Sequence, residues 1–463
     1  MDVLPEIELT ELEACEFDRA FELLSELVDL SEVDEMAPRR ENAVFTSCVV
    51  LWMLIYQRLK PDASLETAVK HLLQTRPDYL PENKRLREGT LSTATGGYSR
   101  ARSKLPLEVV HWFASEISHA IVDQSAPLID GRRVFLIDGT TIALAPEKEL
   151  QQAFPPASNQ FGEGVWRVWP IALITVFHEL ASGCALVPEL GAMYGPNAIS
   201  ETELARNGIA KLPPESIVMA DSGFGIFGVA FETQRYGLDM LFRMKKSNFE
   251  SLRKKATLVS QSDTSKTYSH TWRPTAHNRK TQPNLPTDAC VEVILHEVHV
   301  NDKLTLYLVT SLDHDAQTLA ELFKFRVKVE FDIRNLKVVM DTENIRAKKV
   351  DTFKKELYTS VVAYNLVGQF RRQAAQINEV APRRMSFKKT WNTFQTFLLG
   401  HMRSQPGNWR SAFRTALHYA TKDKLPMRPS RTAKREAYRK RPKDVQFEKR
   451  KKPASKLKPN DLK

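Results

Sequence analysis

The segment from residue 322 to residue 340 places one acidic side chain between two basic ones along the edge of a predicted helix. At 100° per residue, Arg326, Glu330 and Lys337 share a narrow arc with Phe323. A carboxylate in this setting can face a metal ion while the neighbouring cations face phosphate. The segment therefore has the residue types that phosphoryl chemistry needs.

The same segment has a second, apolar arc that would face the core. Its members are Leu322, Phe325, Val329, Ile333, Leu336 and Met340. A charged helix edge beside such an arc is usually only solvated, so a structural ion-pair network is the alternative interpretation. Glu330 lies four residues from both Arg326 and Arg334, which is the spacing of such pairs.

Two aspartates stand at the polar ends of predicted buried strands. RRVFLIDGTTIAL is broken at Asp138, and ESIVMADSGFG runs into Asp221. A buried acid is costly unless it is paired or bound to metal, although each aspartate also fits a helix cap or a turn. Three carboxylates without His or Cys favour Mg²⁺ or Mn²⁺ over zinc. In this hypothesis Asp138 bridges two ions, Asp221 and Glu330 each bind one, and the ions promote attack on a phosphodiester.

The surrounding elements follow an α/β pattern. Residues 16–124 predict amphipathic helices with a basic segment, SRARSKL, and we expect either a DNA-binding module or a helical cap. From residue 133 the order is strand-strand-strand-helix-strand-helix-strand. A β-rich insertion with a polar middle follows, and helices resume at residue 351. The predicted domains are 1–126 (helical, DNA-binding), 127–345 (catalytic, with the insertion at 246–313), 346–426 (helical) and 427–463 (a basic, disordered tail).

Length and composition limit the class of protein. A chain of 463 residues is too long for one hydrophobic core, so two or three domains are expected. The four cysteines have no metal-ligand spacing, which favours a reducing compartment and argues against a disulfide framework or a zinc site. The acidic N-terminus is unlike a signal peptide, and the longest apolar run is too short for a membrane span. We expect a cytoplasmic, nucleoid-associated protein.

The positive charge is concentrated at the C-terminus. From Met427 onward, 15 lysines and arginines stand against 4 acids, and this net charge of +11 equals that of the whole chain. Such a block is typical of an arm that binds nucleic acid. The alternative is a tail that only increases solubility.

These residues together resemble DDE transposases of the insertion-sequence-four family. The third acid of that family lies in the signature Tyr-x2-Arg-x3-Glu-x6-Lys, and Arg326, Glu330 and Lys337 match it with Phe323 in the tyrosine position. DGTT at Asp138 resembles the first-acid motif, and ADSGFG resembles the second. The β-rich insertion falls between the second and third acids, as in the family. The resemblance extends from the SRARSKL segment to the helix after residue 351.

The resemblance implies an RNase H-like catalytic core preceded by an α-helical domain that recognises terminal inverted repeats in double-stranded DNA. It also implies cut-and-paste transposition: cleavage at the element ends and strand transfer into target DNA, dependent on two Mg²⁺ or Mn²⁺ ions and carried out by a homodimer on DNA. Arg326 and Lys337 would clamp phosphates. The alternatives are a metal-dependent endonuclease that does not join DNA and an inactive DNA-binding relative.

Three residues qualify this expectation. Phe323 lacks the tyrosine hydroxyl and any phosphate hydrogen bond that it makes, and Ser222 stands where relatives often carry arginine. Trp272, beside His270 and Arg273, has two interpretations. Its ring either stacks on a displaced base near the cut or anchors a loop of the insertion.

Deletion of residues 428–463 should reduce the salt dependence of nonspecific DNA binding, because fewer counterions are released per bound chain. Metal-dependent cleavage should be retained, since the three acids lie upstream. The slope of the logarithm of affinity against the logarithm of salt concentration measures the effect. An unchanged slope would show that the tail does not contact DNA.

Overall fold

A computed structural model describes residues 28–40, 43–60, 64–75, 84–157, 169–302, 304–401 and 409–425. The helix predicted at residues 16–27 and the basic tail lie outside these ranges. The described residues up to Lys424 belong to one compact unit.

A nine-stranded mixed sheet carries the residues of interest. Its strands are β1 (Val134–Ala143), β2 (Ile171–Glu179), β3 (Glu189–Ala192), β4 (Ile217–Ala220), β5 (Asp239–Arg243), β6 (Thr257–Gln261), β7 (Ser265–Trp272), β8 (Val291–Asn301) and β9 (Leu304–Thr310). They lie in the order β3-β2-β1-β4-β5-β9-β8-β7-β6. β4 is parallel to both β1 and β5, and the other neighbouring pairs are antiparallel.

The strands predicted from apolar, β-branched runs are confirmed at β1, β2, β4, β5, β8 and β9. The run predicted as a strand over residues 183–190 is only partly one, because β3 begins at Glu189. β6 and β7 lie in the polar middle of the insertion, for which the sequence predicts no strands. Their polar composition hides them, since β6 is an exposed edge strand with no buried face. Because β9 pairs with β5, the insertion continues the central sheet.

The described ranges contain sixteen helices, which come before, between and after the strands along the chain. They are α1 (Ser31–Met36), α2 (Ser47–Leu59), α3 (Leu65–Thr75), α4 (Lys84–Arg87), α5 (Gly96–Lys104), α6 (Leu107–Asp123), α7 (Lys148–Ala153), α8 (Glu201–Ile209), α9 (Phe227–Arg235), α10 (Lys246–Arg253), α11 (Ala276–Thr281), α12 (Ala316–Phe323), α13 (Lys328–Arg334), α14 (Val350–Ile377), α15 (Phe387–His401) and α16 (Trp409–Thr421). None of these combines the length and hydropathy needed to cross a bilayer.

Helix α14 packs against helices that precede the sheet in the chain and against helices that follow it. It is buried along most of its length and packs against α2 and α6 from the N-terminal region and against α15 and α16 from the C-terminal region. The Glu356 carboxylate of α14 forms an ion pair with Arg102 at 3.2 Å, so one cation of the SRARSKL segment already has a partner within the protein. The predicted domain boundaries at residues 126, 345 and 426 remain predictions.

The segment predicted as one amphipathic helix over residues 322–340 is helical but not uniform. A 3₁₀ segment at Lys324–Val327 separates α12 from α13, and a π-helical segment follows at Asn335–Val339. The prediction that Phe325 faces the core is wrong, since its side chain is 49% exposed. The 3₁₀ segment turns by one third of a revolution per residue, which shifts the phase of the α-helical pattern. Val329, Leu336 and Met340 are buried as predicted.

His178 on β2 is a fully buried histidine. Its ring meets Tyr364 edge to face at 5.7 Å, and neither ring nitrogen has a hydrogen-bond partner among the described residues. Burial lowers the pKa of His178 to about 4. In the unfolded chain a histidine takes up its proton near pH 6.5.

Acidification should therefore destabilise the protein between pH 6.5 and about pH 4, because the unfolded state binds a proton that folded His178 does not. His178→Phe keeps a ring against Tyr364 and removes the titrating group. We expect its melting temperature to fall less between pH 7.5 and pH 5 than that of the wild type. Equal falls in the two proteins would assign the acid sensitivity to other groups.

Candidate active site

Asp138 and Asp221 each directly follow the last residue that pairs β1 with β4. Asp221 lies at the end of its strand as predicted, but the same prediction is wrong for Asp138, because β1 continues to Ala143 beside β2. Ile137 of β1 is in register with Ala220, the final residue of β4. Neighbouring strands lie about 4.8 Å apart, so the next residue on each strand is brought to the same edge. The Asp138 carboxylate accepts a hydrogen bond from the Gly139 N–H at 2.9 Å, and Asp221 accepts one from the Gly223 N–H at 2.7 Å.

Glu330 reaches this edge from helix α13, which packs against β1. Arg326 lies between the two elements: its guanidinium is 2.5 Å from the Glu330 carboxylate and 3.6 Å from the Asp138 carboxylate. The ion pair considered as a structural alternative is thus present. It also includes Asp138, which lies 188 positions before Arg326 in the chain. The first and third acids are therefore held on either side of one cation.

A buried ion pair fixes the helix that carries Glu330. Asp332 has 2% of its side chain exposed and pairs with Arg383 at 2.7 Å. The same guanidinium donates to the carbonyls of Leu180 (2.5 Å) and Glu179 (3.2 Å) at the end of β2. Breaking a buried pair by removing one partner typically costs about 3–5 kcal/mol. The orientation of Glu330 thus depends on a residue that follows α14.

Lys337 makes the second connection between this helical region and β1. Its ammonium donates to the Thr140 hydroxyl at 3.1 Å and to the Thr141 carbonyl at 2.8 Å, two and three residues after Asp138. The cation therefore faces the strand in this structure. Its role as a phosphate clamp remains a prediction.

The local charges act on the first aspartate in opposite directions. Burial raises the pKa of Asp138, while the Gly139 hydrogen bond and the Arg326 charge lower it. The negative charges of Asp221 and Glu330 raise the pKa of Asp138 as well. Asp138 therefore lies close enough to the other two predicted acids for their negative charges to disfavour its own ionisation.

A fourth acid, Glu201, approaches the same edge and was not found from the sequence. It is the first residue of α8, whose N-cap Ser200 accepts the Glu203 N–H at 3.2 Å, as the ETEL start predicts. Burial raises the pKa of Glu201, and the charges of Asp138 and Asp221 raise it further. In the sequence, the only local sign that another chain segment approaches β1 closely is the glycine after Asp138, and nothing there links that glycine to α8.

The donors suit a hard divalent cation, because the acids offer only carboxylate oxygens. The Arg326 guanidinium already stands in for such a cation between Asp138 and Glu330. Among the described residues, no three His, Cys, Asp or Glu side chains form a ready-made metal cage. A metal ion between Asp138 and Glu330 would therefore require Arg326 to move.

The remaining predicted DNA contacts lie largely inside the protein. Phe323 is 8% exposed at the end of α12, and Trp272 is 6% exposed at the end of β7. The Trp272 ring meets Phe227 edge to face at 5.7 Å, which is the packing that a structural anchor makes. Stacking of Trp272 on a base would require it to leave this contact. The DNA-binding roles of both aromatic residues remain predictions.

A comparison with known families identifies the domain in which these residues lie. The family model described as a transposase DDE domain matches residues 129–366, just over half of the chain. The chain therefore belongs to the transposase DDE-domain family, which supports a transposase function. The family generally uses divalent metal ions. A comparison with curated proteins finds no match.

Arg326→Gln should strengthen Mn²⁺ binding by the DNA-free protein, because the guanidinium competes for Asp138 and Glu330. We expect a gain of about fivefold in affinity, equivalent to about 1 kcal/mol. Isothermal titration measures it. Arg334→Gln, an exposed position on the same helix, is the matched control for the loss of one positive charge. Equal affinities in the two variants would contradict competition by Arg326.

Proposed function

We propose that this protein is a transposase of the insertion-sequence-four family that cleaves DNA at the ends of its element and transfers the ends into target DNA. The observation that carries the proposal is the placement of Asp138 and Asp221 directly after the last paired residues of β1 and β4, with Glu330 brought to Asp138 by α13 through Arg326. These three positions all fall within the family-matched region.

An RNase H-like catalytic core is part of this proposal. It is supported by the mixed sheet, in which the pairing of two adjacent parallel strands ends just before the aspartates and a helix packed on β1 carries the glutamate. The β-rich insertion between the second and third acids extends this sheet without separating those acids from β1. The insertion therefore does not interrupt the part of the sheet that carries the proposed active site.

Asp138, Asp221 and Glu330 would hold two Mg²⁺ or Mn²⁺ ions. When bound, these ions supply activation of a water or a 3′-hydroxyl and stabilise the leaving oxygen. The helix carrying Glu330 is held by Asp332 and Arg383, so its carboxylate is oriented before substrate arrives. Once Arg326 is released from its two carboxylates, its planar guanidinium can bind a phosphate of the DNA end in bidentate fashion. Lys337, freed from Thr140, would add a second phosphate contact.

Double-stranded DNA is the proposed partner, as element ends and as target, and a homodimer the proposed active assembly. The N-terminal helices would recognise the terminal repeats, and the basic tail would add nonspecific affinity. Arg100 and Lys104 are the cations of the SRARSKL segment that carry no ion pair among the described residues, in contrast to Arg102. Action on chromosomal DNA places the protein at the nucleoid in the cytoplasm.

The decisive experiment is Mg²⁺-dependent cleavage and joining of a labelled duplex that ends in the flanking element's repeat. Asp138→Asn and Glu330→Gln should each lower both activities about 100-fold or more, because each removes a carboxylate that would hold the catalytic ions. Glu321→Gln, which removes an exposed acid of α12 that pairs with Lys324, should leave both activities unchanged.

Two outcomes would replace the proposal. Cleavage without joining by the wild type would identify a metal-dependent endonuclease. Binding of the repeat with neither activity would identify a DNA-binding relative, and Phe323 and Ser222 would then be the first positions to revert to tyrosine and arginine.

A further inference from the structure

The carboxylate of Glu201 lies directly against the backbone of the first-acid motif. A Cβ atom added to Gly139 would lie 1.5 Å from Glu201 Oε1, a separation that no side chain can tolerate. Only glycine therefore lets this carboxylate rest on β1 beside Asp138. The start of α8 is held in place by Thr175, the register partner of Gly139, whose hydroxyl donates to the Glu201 carbonyl at 3.4 Å.

Glu201 and Glu330 approach β1 from opposite faces of the sheet. Successive residues of a strand point to opposite faces, so Asp138 points toward Arg326 on the α13 side and the Gly139 position faces α8. Pairing between β1 and β4 ends just before this step, at Ile137 and Ala220. The space beyond the end of β4 is thus bordered by Asp138, Asp221 and Glu201.

The cations of the site lie on the other face. Arg326 pairs with Asp138 and Glu330, and Lys337 bonds to Thr140 and Thr141. Among the described residues, Glu201 has no ion pair, although it lies close enough to Asp138 and Asp221 to feel both negative charges. Arg326 pairs with only one of these three carboxylates, that of Asp138, so a divalent cation on this side would relieve the repulsion that remains among them.

We propose that Glu201 is a fourth acidic residue of the metal centre and helps Asp138 and Asp221 to bind one divalent cation from the α8 face. This rests on the proposed function, because it extends the same carboxylate site. Glycine at position 139 then has a functional reason: it admits the Glu201 carboxylate to the edge of β1.

Mn²⁺ binding to the full chain without DNA tests the proposal without depending on catalysis. Glu201→Gln should weaken Mn²⁺ affinity about tenfold or more, as is typical when a group supporting a metal site is lost. The control is Glu203→Gln, which removes an exposed acid from the same first turn of α8 and should bind Mn²⁺ like the wild type. Melting temperatures without metal should show Glu201→Gln at least as stable as Glu203→Gln, because its loss relieves repulsion.

Gly139→Ala provides a second variant that keeps every charge. The three atoms nearest to the added Cβ all belong to the Glu201 side chain, which can swing aside, so the fold should be retained while the carboxylate is displaced. We expect weakened Mn²⁺ binding, and the double variant Gly139→Ala with Glu201→Gln should be no weaker than the poorer of the two single variants. Such non-additivity is the signature of two changes that act on one contact.

Asp138→Asn separates this inference from the proposed function. If Asp138→Asn loses Mn²⁺ binding while Glu201→Gln binds like Glu203→Gln, the role of Glu201 is overturned and the proposed function stands. If the wild type binds no Mn²⁺, both are overturned. Weakening by Glu201→Gln and by Gly139→Ala, with Glu203→Gln unchanged, is the result expected.

Discussion

Mutual repulsion of carboxylates around one backbone step is the constraint on which this structure depends. Asp138, Asp221 and Glu201 lie close enough for their charges to interact where the pairing of β1 with β4 ends, and Glu330 adds its charge to Asp138 from the opposite face. Asp138 and Glu201 are partly buried, and negative charges so placed are costly unless a cation lies among them. Arg326 meets that need on one face, and a divalent cation would meet it on the other. Folding therefore creates a site at which cations bind favourably.

Holding the acids against this repulsion requires anchors away from the site. Asp332 and Arg383 tie α13 to the end of β2, and Lys337 ties the following π-helical segment to β1. Arg383 follows α14, the buried helix that also packs against α2 and α6. The position of Glu330 thus depends on the packing of helices far from it in the chain. Substitutions in that helical core should affect catalysis through the orientation of α13.

The sequence predicted those parts of the fold in which local pattern and burial agree. Strands β1, β2, β4 and β5 are apolar because both faces are covered, so their runs were visible. The hairpin of β6 and β7 was missed because an exposed edge needs no apolar face. The burial of Phe325 was predicted wrongly because a 3₁₀ segment changes the angle per residue, which the sequence pattern does not reveal.

For the candidate site, the sequence by itself determined the residue types: three acids with oxygen donors, two flanking cations, and a family resemblance that the matched domain supports at the level of a DDE transposase. Tertiary structure alone decided which charges meet. It placed Arg326 between Asp138 and Glu330, turned Lys337 onto β1, buried Trp272, and brought Glu201 against Gly139. The physical reason is that residue type and spacing fix local geometry, whereas contacts between residues 62 or 188 positions apart depend on how separate elements pack.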